Sequence, residues 1–134
     1  MEAGERNSII MFALLALAGA GWAGYQMFKP TPQERLISAC ADIVSERIPT
    51  PASFSLQSGY ADLRTGVVDI AYDRQNLMGA VIRVPAECRF RPADDGPLQL
   101  DGLRVEAREV EEVLVDAWNL RNRVSGDWTW PETP

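Results

Sequence analysis

The side chains able to do chemistry in this sequence are few, and the missing type is the most informative. Histidine is absent. That removes the usual general base, the usual haem ligand and the commonest zinc ligand. Neither serine nor cysteine has a histidine to activate it, and no G-x-S-x-G is present. No glycine loop of either standard phosphate-binding type occurs. Asp69 and Asp73 share one face of a strand-like stretch, with Glu87 placed to lie near them, so general acid–base work has candidate carboxylates. Solvated strand faces normally carry such residues, however. Asp94-Asp95-Gly96 and Asp101-Gly102 lack the alternating ligand spacing of a calcium loop, and turns favour these residues anyway. The chain is therefore expected to be non-enzymatic, with no cofactor and no metal.

Cys40 and Cys88 are too few for a zinc site without histidine. They are the right number for one disulfide, the alternative being two buried thiols. Trp128 and Trp130 close the chain. Two tryptophans in a terminal tail are costly to leave in water. They are expected to fold back on the core, or else to cover a partner subunit or dip into the head-group region, since tryptophan suits both of these sites.

The bulk charge narrows the partners. The 134 residues carry 13 basic and 19 acidic side chains, net −6. Without Glu2, Glu5 and Arg6 the remainder still stands at about −5. Such a chain has no electrostatic route to nucleic acid. Its length allows one domain and not two.

The elements that would position these residues begin with an apolar run. After a short tail, 1–8, residues 9–28 hold no charge. Twenty residues rise about 30 Å, the thickness of a bilayer core. The run is expected to be one uncleaved transmembrane helix, although Ala18-Gly19-Ala20 resembles a signal-peptide cleavage site. Trp22, Tyr25 and Phe28 would sit at the membrane interface. Ala16, Ala20 and Gly24 line one face and would let another helix approach closely. Basic residues are balanced across the run, so the charge count leaves orientation open. The cysteine pair favours a bacterial inner membrane with the C-terminal domain in the periplasm.

Only Lys29 to Thr31 separate this run from a second helix. Thr31-Pro32-Gln33-Glu34 is a capping box with proline at the first helical position. Apolar residues at helical spacing follow from Leu36 to Ile48. Three strands are then expected, over 54–60, 68–73 and 80–90. The last alternates most cleanly, with Ala80, Ile82, Val84, Ala86, Cys88 and Phe90 on its inner side. Pro85 on the outer side implies an edge position or a bulge. Asp101-Gly102 is expected to turn a hairpin between 98–100 and 103–105. A third helix is expected over 109–122, with Val110, Val113, Leu114, Ala117 and Trp118 inward. Glu106, Glu109, Glu111, Glu112 and Asp116 would collect at its start, where negative charge is stabilising. The fold class is α+β: one N-terminal transmembrane helix, then an antiparallel sheet of three to five strands packed by two helices. The domain is expected over 29–123 and a tryptophan tail over 124–134. Cys40 and Cys88 can meet if the helix at 31–48 packs on that sheet.

Two stretches also carry a resemblance. Pro51-Ala52-Ser53-Phe54-Ser55-Leu56 looks like the P-x-S-x-x-F stretch of a family of small bacterial membrane- or lipid-anchored domains. Asn76 to Arg83 resembles that family's N-x-F-G-A-x-V-R turn and strand, with Met78 where phenylalanine is usual. The resemblance spans about residues 36 to 90. It implies a helix followed by an antiparallel sheet, and no general activity. These features converge on an accessory or scaffold subunit of a membrane complex, its partners being other transmembrane subunits. The alternative is a tethered module that binds a small ligand, a peptide or an envelope component.

Overall fold

The computed structural model describes residues 2–93 and 96–132, without the side chains of 2–6 and 24–28. The chain divides into two units, Met1–Pro30 and Thr31–Pro134. The first is a single helix, α1, Glu2–Phe28. The expected transmembrane span is overturned: among the described residues no helix is long and apolar enough to cross a membrane. The sequence explains why. The helix begins at Glu2, so Glu2, Glu5 and Arg6 lie in its first turns rather than in a separate tail. The uncharged apolar side chains among the described residues run only from Ile9 to Ala23, short of the roughly 20 residues that a bilayer core needs. The interfacial role read for Trp22, Tyr25 and Phe28 rested on that span. Trp22 is exposed, and the side chains of Gly24, Tyr25 and Phe28 lie outside the described residues.

The second unit is α+β. Its order is α2 (Pro32–Ser45), a 3-10 turn (Pro51–Ser53), β1 (Ser55–Ala61), β2 (Val67–Gln75), β3 (Val81–Arg91), β4 (Gln99–Val105), β5 (Arg108–Glu109) and α3 (Glu112–Ser125). The strands form one antiparallel sheet in sequence order, β1-β2-β3-β4-β5. The capping box sets the start of α2: Thr31 Oγ1 accepts from the Glu34 N–H at 3.2 Å, and Glu34 Oε2 accepts from the Thr31 N–H at 3.1 Å. Leu36, Ala39, Cys40, Ile43 and Val44 then form the buried stripe. Gly59 on β1 makes room for this helix. A Cβ there would lie 2.7 Å from Ile37 Cγ2.

The sheet is buried on one side only. Val68, Ile70 and Tyr72 of β2, Ala86, Cys88 and Phe90 of β3, and Leu100 and Leu103 of β4 face the helices. Their opposite neighbours are mostly charged. Pro85 lies in the central strand, yet it costs no ladder bond. It pairs with Ala71 on one side, and β4 has ended at Val105 on the other. Its carbonyl accepts from the Glu106 N–H at 3.2 Å, just past that end.

Two expectations change. Asp101-Gly102 is not a hairpin turn but lies inside β4. Gly102 is opposite Arg89, and the guanidinium crosses so close that a Cβ would meet it at 2.1 Å. Glycine here clears a path for an arginine. The third helix starts three residues later than expected, because Arg108 and Glu109 pair with β4. The register of its buried face moves accordingly, to Val115, Trp118 and Asn122, while Val113 is exposed.

Cys40 and Cys88 form a disulfide between α2 and β3, with Cα atoms 5.8 Å apart and a separation of 48 positions in sequence. Closing a loop of that length constrains the unfolded chain by about 4 kcal/mol in the chain-entropy model. Reduction under native conditions should lower the melting temperature of Cys40–Cys88 protein by well over 10 °C. Calorimetry with and without reductant measures this, and an unchanged melting temperature would count against the bond.

Candidate functional site

Three places in the second unit gather polar side chains. The first joins strand ends. Tyr72 is fully buried, stacks on Phe54 with ring centroids 4.9 Å apart, and donates its hydroxyl to Glu106 at 3.3 Å. Arg74 grips the same carboxylate through Nε and, at 2.9 Å, through Nη2. Glu106 and Ala107 both take positive φ, 53° and 66°, in the tight turn from β4 to β5. Such backbone costs a non-glycine residue about 1 kcal/mol or more. The bidentate arginine holds the turn in place. Arg74 beside it keeps the Glu106 carboxyl below the usual range. Burial, and then the charge of Glu106, push the Tyr72 hydroxyl up to about 12. The groups of this cluster satisfy one another. It is a structural clasp.

The second place is the outer sheet face. Arg83 pairs with Asp73 at 2.9 Å, Arg91 with Asp101 at 2.9 Å, and Arg89 bridges Glu87 and Glu109 at 2.9 and 2.8 Å. Arg104 also reaches Glu109. Asp73 and Glu87 are thus committed to arginines and do not form a carboxylate pair. Asp69 sits directly opposite Glu87 on one side and Tyr60 on the other, and it joins none of the ion pairs among the described residues. Two open depressions flank it. One, of about 370 Å³, is lined by Ser58, Tyr60, Asp69 and Ala71. The other, of about 300 Å³, is lined by Asp69, Pro85, Glu87, Arg104 and Ala107.

The third place is the far edge, along β4. Asn119 on α3 uses its amide as a strand would: its oxygen accepts from the Leu100 N–H at 2.7 Å and its nitrogen donates to the Leu100 carbonyl at 2.8 Å. Asn122 is buried and fully bonded. Its nitrogen donates to the Leu98 and Trp128 carbonyls at 2.9 Å each, and its oxygen accepts from the Trp128 N–H at 3.0 Å. The tail therefore folds back, with Pro97 bridged to Thr129 and both Trp128 and Trp130 packed against the core. The sequence reading missed both asparagines. Their signal was two amides three residues apart beside Trp118, on a helix face that should have been apolar. A groove of about 270 Å³ lies here, lined by Leu98, Asp116, Asn119 and Arg123.

The turn that carried the resemblance, 76–80, is closed by hydrogen bonds. Asn76 Oδ1 accepts from the Met78 and Ala80 N–H groups at 2.9 and 3.0 Å. It holds Leu77 and Met78 almost wholly in solvent. Asp94 and Asp95 lie outside the described residues. Among those described, no cluster of three or more acidic or cysteine side chains is placed to hold a metal. The acidic set expected at one helix start is dispersed, Glu106 to the clasp and Glu109 to β5. No protein-family model matches the chain, and no curated protein or solved structure matches it either.

Two outcomes check this geometry. Asn122→Ala leaves buried Trp128 and Leu98 backbone groups unpaired and should cost about 2–3 kcal/mol. Urea unfolding measures the loss, and a red-shifted tryptophan emission should report release of the tail. For Tyr72, the folded pKa lies above the unfolded value of about 10. Its contribution is therefore fully present below pH 10 and is lost as pH rises toward about 12. Stability should fall by roughly 2–3 kcal/mol over that window. Tyr72→Phe should flatten the dependence; an equally steep fall in that variant would refute the assignment.

Proposed function

We propose that this chain is a non-enzymatic accessory or scaffold subunit of a protein complex, held to its partner by α1. One observation carries the reading. Ile9, Ile10, Met11, Phe12, Leu14, Leu15, Leu17 and Trp22 are each between 55 and 70% exposed. A helix that is apolar on all sides, unlike the striped α2, belongs in the interior of a larger assembly. Burying eight such side chains is worth roughly 10–20 kcal/mol before the costs of association. The alanines among them, Ala16 and Ala20, leave space for close approach by a neighbouring helix. Partner helices of apolar character are the matching chemistry.

The disulfide supports an oxidising compartment, outside the cytoplasm, for the second unit. The absence of histidine and the pairing of Asp73 and Glu87 with arginines support a non-catalytic role.

The test is native-mass analysis of the tagged full chain after gentle extraction. A species well above 14.8 kDa containing a second protein in fixed ratio is expected. Phe12→Glu with Leu15→Arg should release that protein, while Val124→Glu, on an exposed site of α3, should not. A lone monomer, or an unaltered complex with the α1 variant, would overturn the proposal.

A further inference from the structure

Charged residues make up 24% of the chain, yet none occurs from Ile48 to Ala61 or from Gln75 to Ile82. Folding joins these two stretches at the end of the sheet that holds the β2–β3 turn. Thr50 Oγ1 donates to the Gln75 carbonyl at 2.9 Å, and the Gln75 N–H donates to Ser53 Oγ at 3.0 Å. Pro49, Pro51 and Ala52 are exposed on one side of this join, and Leu77, Met78, Ala80 and Val81 on the other. Leu77 is 95% exposed, Met78 93% and Val81 67%. Among the described residues no other large apolar side chain is as exposed as the first two. The turn that carries them is bonded to itself. Asn76 Oδ1 accepts from the Met78 and Ala80 N–H groups, the Asn76 N–H donates to the Ala80 carbonyl at 2.9 Å, and the Gly79 N–H donates to the Asn76 carbonyl at 3.0 Å. Polar groups bonded in this way cost less to take out of water.

Extent and charge decide what fits this tip. A stable protein interface takes roughly 20–30 residues from each side. Here three large apolar side chains project, and the surface below them turns to ion pairs: Arg83 with Asp73, and Arg74, only 14% exposed, with Glu106. A fluid lipid interface demands neither that extent nor a matching shape. The Asp73–Arg83 rung lies two residues below Gln75–Val81, about 7 Å along the strands. Interfacial apolar elements sink roughly 5–10 Å into the head-group layer, so the uncharged part of the hairpin has the matching depth. The chain as a whole is net −6 and is repelled by anionic surfaces, but the tip itself carries no acid.

We propose that the β2–β3 turn dips into the head-group layer of a zwitterionic lipid surface, with Leu77 and Met78 foremost. The contact is shallow and reversible, and it orients the sheet end-on to that surface. This inference does not rest on the reading of α1 as a partner-binding helix.

The experiment uses full-length chain carrying ¹³C-methyl methionine, bound to phosphatidylcholine nanodiscs. Met78 is the sole methionine beyond Met27, so its methyl signal reports the tip alone. A nitroxide placed high on the lipid acyl chain should remove at least half of that signal. A water-soluble gadolinium chelate should relax it at least threefold less than in Leu77→Asp, whose other resonances should stay in place. Val124→Asp, on α3, should leave the protection of Met78 unchanged. A Met78 methyl untouched by the lipid nitroxide, equal relaxation in wild type and Leu77→Asp, or a chain that stays off the discs would each overturn the proposal. So would protection that appears only in discs holding two copies, or only after a second protein is added.

Discussion

The bond between Cys40 and Cys88 lies where α2 crosses the central strand, and the rest of the second unit is arranged around that crossing. Both sulfurs are fully buried, among Leu36, Ile43, Val68, Tyr72, Phe90 and Leu103. A domain of about one hundred residues has a limited apolar core, so a covalent link between its first helix and its middle strand removes much of the unfolded chain's freedom. It also fixes which face of the sheet is inner. Once Cys88 points at α2, strict alternation places Glu87 and Arg89 outside, and antiparallel pairing carries that choice to Asp69, Gly102 and Arg104.

The outer face is then a ladder of ion pairs rather than a second core. Exposed pairs of this kind contribute little to stability, often under 1 kcal/mol each. Their effect is on specificity. Arg89, shared by Glu87 and Glu109, ties β3 to β5 across Gly102, and so holds a two-residue strand that backbone bonds alone would not. The same ladder occupies most of the carboxylates that would otherwise be available to a ligand.

What was legible in the sequence follows the range of the forces involved. The capping box, the stripe from Leu36 to Val44 and the alternation from Ala80 to Phe90 are local patterns, and each appears within a residue or two of its expected bounds. The disulfide was readable because two such patterns put both cysteines on inner faces. Asp101-Gly102 misled because its glycine answers a long-range demand, the passage of Arg89, and not a turn. The start of α3 misled because Arg108 and Glu109 prefer a strand partner that only the folded chain provides. Asn119 and Asn122 were invisible because a helix amide facing inward reads as a fault until the strand edge and tail it bonds are present. The apolar run was read over 9–28, and among the described residues no helix is long and apolar enough to span a membrane.

That last correction makes α1 more pointed, not less. The buried core of the second unit runs from Leu36 to Trp118, with Trp128 and Trp130 packed against it. In α2 the large apolar side chains form one buried stripe. In α1, Ile9, Ile10, Met11 and Phe12 are four successive apolar residues, which point around the helix and cannot share one face.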